Sequence, residues 1–250
     1  MSSTRSANPL HDLVLATELA QPGEVLMVFD LDSTLFDLSQ RVRAILTDFA
    51  AHPQNQQSFP EACALLQNVE IRRQDWGLKE PLARLGLDTT THKEFVSQVQ
   101  SAWAKGFFSN HYLEHDRPLR GAVEFVKHLH ARGAQIMYLT GRDVPRMGEG
   151  TIKSLVHHGF PHSMERTDLI LKSTAHLDDA EFKAEILIAR APHHQRLVLF
   201  ENEPVNLQRV EQSLPQIDLV WIDTCHSGTI EPAAHWIRIE DFDGPWRRNS

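Results

Sequence analysis

Four short runs of apolar residues constrain the fold of this chain most strongly. The runs are EVLMVFD (24–30), AQIMYLT (134–140), QRLVLFE (195–201) and IDLVWID (217–223), and TDLILK (167–172) is a fifth, weaker candidate. Within each run the apolar residues are nearly continuous and do not alternate with polar ones. This pattern indicates strands that are covered on both faces, which is typical of parallel sheets.

Segments with helical character lie between these runs. GAVEFVKHLHARG (121–133) has apolar residues at helical spacing, and VPRMGEGTIKSLVHHG (144–159) ends, like the first, at a glycine. Gly133 and Gly159 suit the position just after a helix. DDAEFKAEILIAR (178–190) begins with acids, which stabilise a helix N-terminus. The alternation from residue 121 onward predicts an α/β domain with right-handed crossovers.

One interval breaks this alternation. Between the first run and the helix at 121 no strand-like run occurs, and the sequence carries helical patterns at 39–51, 60–69 and 89–108. A crossover connection needs only about a dozen residues, so we predict a helical subdomain inserted after the first strand.

The predicted organisation follows from this insertion. Residues 1–36 and 116–250 would form the α/β core, and residues 37–115 would form the helical subdomain. Four aromatic residues of the insertion are interpreted as its core rather than as a substrate platform: Trp76, Trp103, Phe107 and Phe108.

The composition argues against a nucleic-acid-binding protein. Hydrophobic residues make up 41% of the chain and charged residues 23%, which is enough to form a packed core. The formal net charge is -8, and no basic stripe is visible that would neutralise many phosphates. Two short arginine pairs, Arg72-Arg73 and Arg247-Arg248, are interpreted as solvated surface.

The cysteines and the N-terminal residues favour a cytoplasmic location. Cys63 and Cys225 are far apart and form neither a disulfide framework nor a CxxC site, as in proteins of reducing compartments. The first twenty residues carry Asp12 and Glu18 within their apolar pattern, which argues against a signal peptide. No stretch reaches the roughly 18 apolar residues of a membrane-spanning helix. We therefore expect no membrane association.

Polar residues end the predicted strands. They are Asp30 and Asp32, Thr140-Gly141-Arg142, Glu201-Asn202-Glu203, and Asp223-Thr224. In an open parallel sheet, ligands bind outside the carboxyl ends of the strands, so these groups should face one crevice. Acids, an amide and a hydroxyl suit a hard divalent cation with oxygen ligands, and an anionic substrate that the cation bridges.

These strand ends resemble the motifs of the haloacid dehalogenase-like (HAD) superfamily. VLMVFDLDST resembles its first motif, an apolar strand followed by DxDx(T/S), and IMYLTGR resembles the second, a strand that ends in Thr or Ser. RLVLFENEPVNL resembles the fourth. The third motif, a lysine near the head of a helix, matches Lys183, with Lys172 as the second choice. The resemblance implies a Rossmann-like (HAD-type) parallel sheet flanked by helices, with an inserted α-helical cap subdomain.

The resemblance also implies roles in catalysis. Asp30 would be the nucleophile that forms an aspartyl-phosphate, and Asp32 would be the general acid and then the general base. A two-residue offset on a regular strand would place both side chains on one face. Thr140 and Lys183 would hold the phosphoryl oxygens, and the lysine would offset negative charge. The family's dehalogenases lack the acid at the position of Asp32, so this residue favours reactions of phosphate esters.

Mg²⁺ is the implied cofactor. Asp30 and the backbone carbonyl of Asp32 would be ligands. The fourth motif has Glu201 and Asn202 where aspartates are commonest, so Asn202 would be the third direct ligand and Glu201 would act through a metal-bound water. Arg142 could bind a substrate anion or a neighbouring acid.

The function that follows is Mg²⁺-dependent hydrolysis of a small phosphate monoester through an aspartyl-phosphate on Asp30. Two alternatives stay open. A phosphotransferase would use the same intermediate with another hydroxyl as acceptor, and an inactive relative would bind a metal or a phosphorylated ligand without turnover. The sequence carries no motif for the identity of the substrate or for the oligomeric state.

Overall fold

A computed structural model of the protein describes residues 9–18 and 20–244. The arginine pair Arg247-Arg248 lies outside the described residues. Eight strands occur in this part of the chain: β1 (Val25–Phe29), β2 (Phe36–Asp37), β3 (Arg117–Pro118), β4 (Gln135–Asp143), β5 (Thr167–Lys172), β6 (Arg196–Glu201), β7 (Asp218–Ile222) and β8 (Ile237–Ile239).

Helices connect the strands and form the interval before β3. The described α-helices are α1 (Pro9–Glu18), α2 (Ser39–Ala51), α3 (Pro53–Ser58), α4 (Pro60–Leu66), α5 (Lys79–Arg84), α6 (Lys93–Phe107), α7 (Ala122–Ala131), α8 (Val144–His158), α9 (Asp179–Arg190) and α10 (Pro204–Ser213). Two 3₁₀ helices span His111–His115 and Ala191–His193.

The main sheet is parallel and has the strand order β5-β4-β1-β6-β7-β8. The chain first builds outward from β1 through β4 to β5, and then continues on the other side of β1 with β6. This reversal makes β1 a topological switch point, where the loops after neighbouring strands diverge and leave a crevice. The predicted parallel α/β sheet is confirmed. The edge strand β8 was not predicted, since it is short and its central residue, Arg238, is exposed.

The sheet is covered on both faces, as the continuous apolar runs predicted. Val25, Met27 and Phe29 of β1 pack into the cluster on one face, whereas Leu26 and Val28 pack into the cluster on the other. All five side chains are buried, and burial of each stabilises the fold by roughly 1.5–3 kcal/mol.

Two predicted helix ends are confirmed by the backbone. Gly133 and Gly159 have φ angles of 95° and 76°, a left-handed conformation that glycine adopts without a steric penalty. At the other end of a helix, the Asp178 side chain accepts a hydrogen bond from the backbone nitrogen of Glu181 at 3.0 Å, and so caps α9.

The interval between β2 and β3 is helical, and we refer to residues 39–115 as the helical segment. Its helices α2, α4 and α6 overlap the three predicted patterns, and α2 has the predicted bounds. Buried residues from these helices, including Leu46, Leu66 and Phe95, form an apolar cluster of their own. The short strands β2 and β3 pair antiparallel where the chain leaves and re-enters the core. The division into an α/β core and a cap at 37–115 stays a prediction.

None of the helices within residues 9–18 and 20–244 combines the length and the hydropathy that crossing a membrane requires.

Candidate active site

A cavity of about 540 Å³ opens at the carboxyl edge of the sheet, beside β1. Seven predicted site residues line it: Asp30, Asp32, Thr140, Arg142, Lys183, Glu201 and Asn202. The strands β1, β4 and β6 and the helix α9 carry them there. The helical segment lines the same cavity, so residues from both parts of the chain surround one space.

Lys183 joins two carboxylates at the base of this cavity. Its Nζ donates to Asp30 Oδ1 at 2.7 Å and to Glu201 Oε2 at 2.5 Å. All three residues are buried. Two carboxylates and one ammonium carry a net charge of -1 when all are ionised, and a buried net charge of this kind favours either a proton or a further cation.

The pKa of Asp30 reflects this surplus of negative charge. Burial raises this pKa most strongly, the nearby Lys183 ammonium lowers it, and the Glu201 and Asp32 carboxylates raise it, which together bring it to about 7. For Lys183, burial alone would lower the pKa, but the carboxylates of Asp30 and Glu201 raise it above its usual value. Lys183 is therefore a permanent cation at the site.

The structure separates the two candidate lysines. Lys183 contacts Asp30, whereas Lys172 Nζ donates to the Leu177 carbonyl at 2.9 Å and to Asp179 Oδ1 at 2.5 Å. The first choice for the lysine of the site is thus the one that the structure places beside Asp30.

The side chain of Asp32 has quite different partners from that of Asp30. Arg41 Nη2 donates to Asp32 Oδ1 at 2.8 Å, and Arg142 Nε donates to the same oxygen at 3.1 Å. Asp116 bridges the two arginines, since Arg41 Nε and Arg142 Nη2 donate to it at 2.6 and 2.8 Å. Arg41, Arg142 and Asp116 are buried. We call these four residues the arginine–aspartate cluster.

The cluster keeps Asp32 ionised. Burial alone would raise the pKa of Asp32, but the guanidinium groups of Arg142 and Arg41 outweigh burial and hold this pKa well below its usual range. The expected shared face of Asp30 and Asp32 depended on regular strand geometry. That geometry ends at Phe29, and Ser33 has a left-handed φ of 58°. The two carboxylates therefore line one cavity but bind different cations.

Arg142 binds a neighbouring acid, which is one of its two predicted roles. All three guanidinium nitrogens donate within the protein, to Asp32, Asp116 and the hydroxyl of Thr151. Four of its five N–H groups are used in these contacts, so the side chain mainly positions Asp32 and keeps one Nη1 hydrogen without a protein acceptor among the described residues. Thr140 lies at the same strand end, is buried, and its Oγ1 accepts from the Arg142 backbone nitrogen at 3.3 Å.

The side-chain oxygens of Glu201 and Asn202, in the fourth motif, accept hydrogen bonds from different groups. Glu201 Oε1 accepts from the backbone nitrogens of Asn202 and Glu203, and its Oε2 binds Lys183. The Asn202 amide nitrogen donates to the Cys225 carbonyl at 2.7 Å, which leaves Oδ1 to face the Thr34 hydroxyl at 3.2 Å. The Asn202 side chain is thus oriented with its amide oxygen towards Thr34 and its amide nitrogen towards the Cys225 carbonyl.

This donor set fits a hard divalent cation. The Asp30 carboxylate gives one oxygen to Lys183, and no described residue donates to the other. Together with Asn202 Oδ1, it supplies the oxygen ligands that Mg²⁺ prefers. Within the described ranges no group of three or more His, Cys, Asp or Glu side chains is arranged as a metal site, so the predicted ligand set, which includes the Asn202 amide and a backbone carbonyl, stays a prediction.

Two contacts of the site were not found from the sequence. Arg41 occupies the same face of α2 as the buried Ile45, so a charge within an apolar stripe was the available signal. Asp116 lies in a connecting turn and carried no signal.

The aromatic residues of the helical segment correct one prediction. Trp103 and Phe107 pack against the cluster of that segment, as expected, but they also line the cavity. Trp76 and Phe108 line it as well and are 49% and 38% exposed. These rings are therefore placed to contact a bound molecule.

Comparison with known proteins decides the family. The sequence model of the haloacid dehalogenase-like hydrolases, described as a hydrolase family, matches residues 25–197. The chain belongs to this family. The match extends from β1 to the start of β6, and so contains Asp30, Thr140 and Lys183. No curated protein matches the chain.

Solved structures share the fold of this HAD-like hydrolase. The putative HAD hydrolase YfnB from Bacillus subtilis, bound to magnesium, aligns over 89% of this chain and 96% of its own, with a TM-score of 0.51 and 11% identity. A putative phosphatase from Clostridium difficile aligns over 82% and 86%, with a TM-score of 0.50 and 12% identity. A HAD-superfamily hydrolase from Geobacter sulfurreducens aligns over 89% and 95%, with a TM-score of 0.50 and 14% identity. At these identities the likeness concerns the fold alone.

Proposed function

We propose that this HAD-like hydrolase is a Mg²⁺-dependent phosphatase that cleaves a small phosphate monoester through an aspartyl-phosphate on Asp30. The observation that carries the proposal is the contact of Lys183 with both Asp30 and Glu201, in a cavity at the topological switch point. A buried carboxylate beside a permanent cation suits attack on an anionic phosphoryl group, which needs positioning and charge more than a strong nucleophile.

Each residue around Asp30 has a task in the first step. Lys183 orients the Asp30 carboxylate and draws the phosphoryl oxygens towards it, and the Thr140 hydroxyl lies at the adjacent strand end to hold them. Asp30, the backbone carbonyl of Asp32 and Asn202 would hold Mg²⁺, with Glu201 acting through water. The bound ion supplies positive charge that favours the ionised form of Asp30 and attracts the substrate.

Asp32 would serve as acid and then as base. The carboxylate form that Arg41 and Arg142 maintain is the one that accepts a proton from the attacking water in the second step. The acid role in the first step needs the protonated form. Arg41 belongs to the helical segment, so a displacement of that segment would withdraw one cation and raise the pKa of Asp32. We propose that the helical segment acts as a cap and supplies this change.

A second candidate function rests on the same arginines. Two cations that hold Asp32 ionised also suit a protein that binds Mg²⁺ and a phosphorylated ligand without turnover. Activity measurements separate this candidate from the phosphatase.

The proposal includes the setting of the protein. The partner would be a small phosphorylated molecule in the cytoplasm. Cys63 and Cys225 are unpaired in the structure, which is consistent with a reducing compartment.

Measuring phosphate release tests the proposal. The purified protein should hydrolyse aryl phosphates in the presence of Mg²⁺ and lose this activity with excess EDTA. Asp30→Asn should lower turnover at least roughly a thousandfold, because an amide cannot form the acyl phosphate. Asp37→Asn is the matched control, because Asp37 also lines the cavity and an amide oxygen can keep its contact with the backbone nitrogen of Ser39.

Three results would decide between the candidates. Full turnover by Asp30→Asn would overturn the assignment of the nucleophile. Binding of Mg²⁺ and a phosphate analogue by the wild type, without release of phosphate from any ester of a broad panel, would favour the binding protein. Product transfer to added alcohols instead of water would favour a phosphotransferase.

A further inference from the structure

Arg73 is a cation of the cavity wall that has no counterion within the described residues. It belongs to the helical segment and lines the same cavity as Asp30. Its Nε and Nη2 are shielded from solvent yet have no hydrogen-bond partner among the described residues. Arg73 as a whole is partly exposed, but two shielded charged nitrogens without a partner cost free energy, so the arrangement favours an acceptor that the chain does not supply. The sequence had placed this arginine on the solvated surface.

A second unpartnered donor belongs to Trp103, another residue that lines the cavity. The indole Nε1 of Trp103 is buried and, within the described residues, finds no acceptor. Its ring packs against Phe107 at 5.1 Å between centroids, which fixes the side chain in the cavity wall. Buried Trp N–H groups usually have a partner. Two residues that line the cavity therefore carry donors without acceptors in the part of the chain that the structure describes.

The other charges nearby have partners. The neighbour of Arg73, Arg72, pairs with Glu70 at 3.0 Å, and Asp75 is paired with Arg84. Of the other acids that line the cavity, Asp32 binds Arg41 and Arg142, and Asp179 binds Lys172. These acids are paired with other cations, and Asp37, Asp178 and Glu203, which also line the cavity, accept from backbone nitrogens or a hydroxyl, so none of them satisfies Arg73.

The size and apolar lining of the cavity indicate what else the occupant carries. A volume of about 540 Å³ falls in the range of small-molecule sites and exceeds the need of a phosphate ion alone. Trp76, half-exposed at this wall, offers an aromatic face to a flat apolar group.

We propose that Arg73 and Trp103 form a subsite for a second anionic group of the substrate. The preferred substrates are then phosphate monoesters whose leaving group joins the ester oxygen to a carboxylate or a second phosphoryl group through a flat apolar ring. The phosphate end lies at Asp30 and Lys183, and the second anion accepts hydrogen bonds from the Arg73 guanidinium and the Trp103 indole. This inference rests on the proposed phosphatase function for the reaction that is catalysed. The recognition of the second anion rests on Arg73 and Trp103.

Matched aryl phosphates test the subsite by turnover. The esters are phenyl phosphates with a para carboxylate, a para phosphonomethyl group or a neutral para carboxamide, and the measured quantity is kcat/KM of each anionic ester relative to the amide. Arg73→Gln should lower both ratios at least about tenfold, as expected for the loss of a charged hydrogen bond. Comparing ratios between wild type and variant cancels the intrinsic reactivity of the esters. A loss confined to one anionic ester identifies the group that the subsite takes.

Arg72→Gln is the matched control. Arg72 is adjacent in the chain and also lines the cavity, but it is already paired with the exposed Glu70. The ratios should stay as in the wild type. If Arg72→Gln lowered the kcat/KM ratios as much as Arg73→Gln, the overall electrostatic potential of the cavity, and not Arg73, would select the anion. This result would overturn the proposal.

A binding measurement separates failure of the subsite from failure of the phosphatase. Calorimetry in Mg²⁺ compares 4-carboxybenzylphosphonate with its neutral carboxamide, neither of which is cleaved. If the wild type binds the carboxylate more tightly than the carboxamide and Arg73→Gln does not, the subsite is supported even if no ester is hydrolysed. Hydrolysis with equal affinity for both phosphonates in the wild type overturns the subsite and leaves the phosphatase standing. Circular dichroism confirms that each variant is folded.

Discussion

Asp30 is a buried carboxyl group whose ionised form is destabilised in the folded protein. It shares one ammonium, Lys183, with Glu201, and burial raises its pKa to about 7. In the free protein the site therefore favours a proton on Asp30, whereas the proposed chemistry needs the carboxylate. Destabilised arrangements of this kind are common where binding of a ligand or cation supplies the missing interaction.

The raised pKa predicts a stability that depends on pH. Between pH 4 and 7 the folded state holds a proton on Asp30 that the unfolded chain has released, so this group's contribution to stability is present below about pH 4 and is lost as the pH rises through 7. Asp30→Asn removes this titration. Without Mg²⁺ at pH 8 the variant should be more stable than the wild type by on the order of 2 kcal/mol, and the difference should vanish near pH 4.

Urea unfolding at a series of pH values, in EDTA, measures this difference. Asp37→Asn provides the control for losing a carboxylate of the same cavity. Parallel pH profiles for Asp30→Asn and the wild type would show that Asp30 titrates normally in the fold, contrary to the prediction.

At the scale of single residues, the sequence indicated those side chains that end a strand or follow it directly. Asp30 and Glu201 lie at such positions, and Lys183 follows the acidic start of a helix. Arg73 and Asp116 could not be found in this way, because their significance comes from partners, or from the lack of partners, across the fold. A lone arginine in a loop has no spacing that distinguishes a cavity wall from a solvated surface.

At the scale of elements, the arginine–aspartate cluster holds the helical segment to the sheet. Arg41 comes from α2, Arg142 from β4, Asp32 from the loop after β1, and Asp116 from the connection that returns to the core at β3. Two carboxylates and two guanidinium groups balance in charge. Such a buried network is costly to form, but removing one member leaves an uncompensated charge.

Removing Arg41 should therefore destabilise the protein strongly. Arg41→Met should cost roughly 3–5 kcal/mol, because Asp116 then keeps only Arg142 as a buried partner. The double variant Arg41→Met/Asp116→Asn should cost less than the sum of the two single changes by at least about 1 kcal/mol, since the second change removes the carboxylate that exceeds the remaining cation. Unfolding in urea of the two single variants and the double variant gives this coupling.

Arg43→Met is the control for this cycle, because Arg43 lies on the exposed side of the same helix. It should change stability by no more than about 0.5 kcal/mol. Strict additivity of Arg41→Met and Asp116→Asn would show that the two residues are not energetically coupled, against the account of the cluster.

Elements with strong periodicity were predicted well, and short ones were not. The strands β1, β4, β5, β6 and β7 of the main sheet and the helix α2 followed from apolar patterns. The edge strand β8 and the helices α3 and α5 are too short for a pattern to develop, and their structure depends on contacts with neighbouring elements.

At the scale of the whole molecule, strand order and insertion together make the site. The reversal of the sheet at β1 opens a crevice beside Asp30, and the helical segment inserted directly after that strand brings Arg73 and the aromatic residues to the same cavity. The sheet supplies the groups proposed for phosphate chemistry, and the segment supplies those proposed for the leaving group. The sequence predicted the insertion but not which of its residues would face the core.

Trapping the covalent intermediate tests the central claim most directly. The protein is mixed with an aryl phosphate and Mg²⁺, quenched in acid, and treated with borohydride, which reduces an aspartyl-phosphate to homoserine. Peptide mass spectrometry should find homoserine at position 30, and none in protein quenched without substrate. Steady release of phosphate with aspartate unchanged at position 30 in every quenched sample, or with homoserine at another position, would contradict the assignment of Asp30 as the nucleophile.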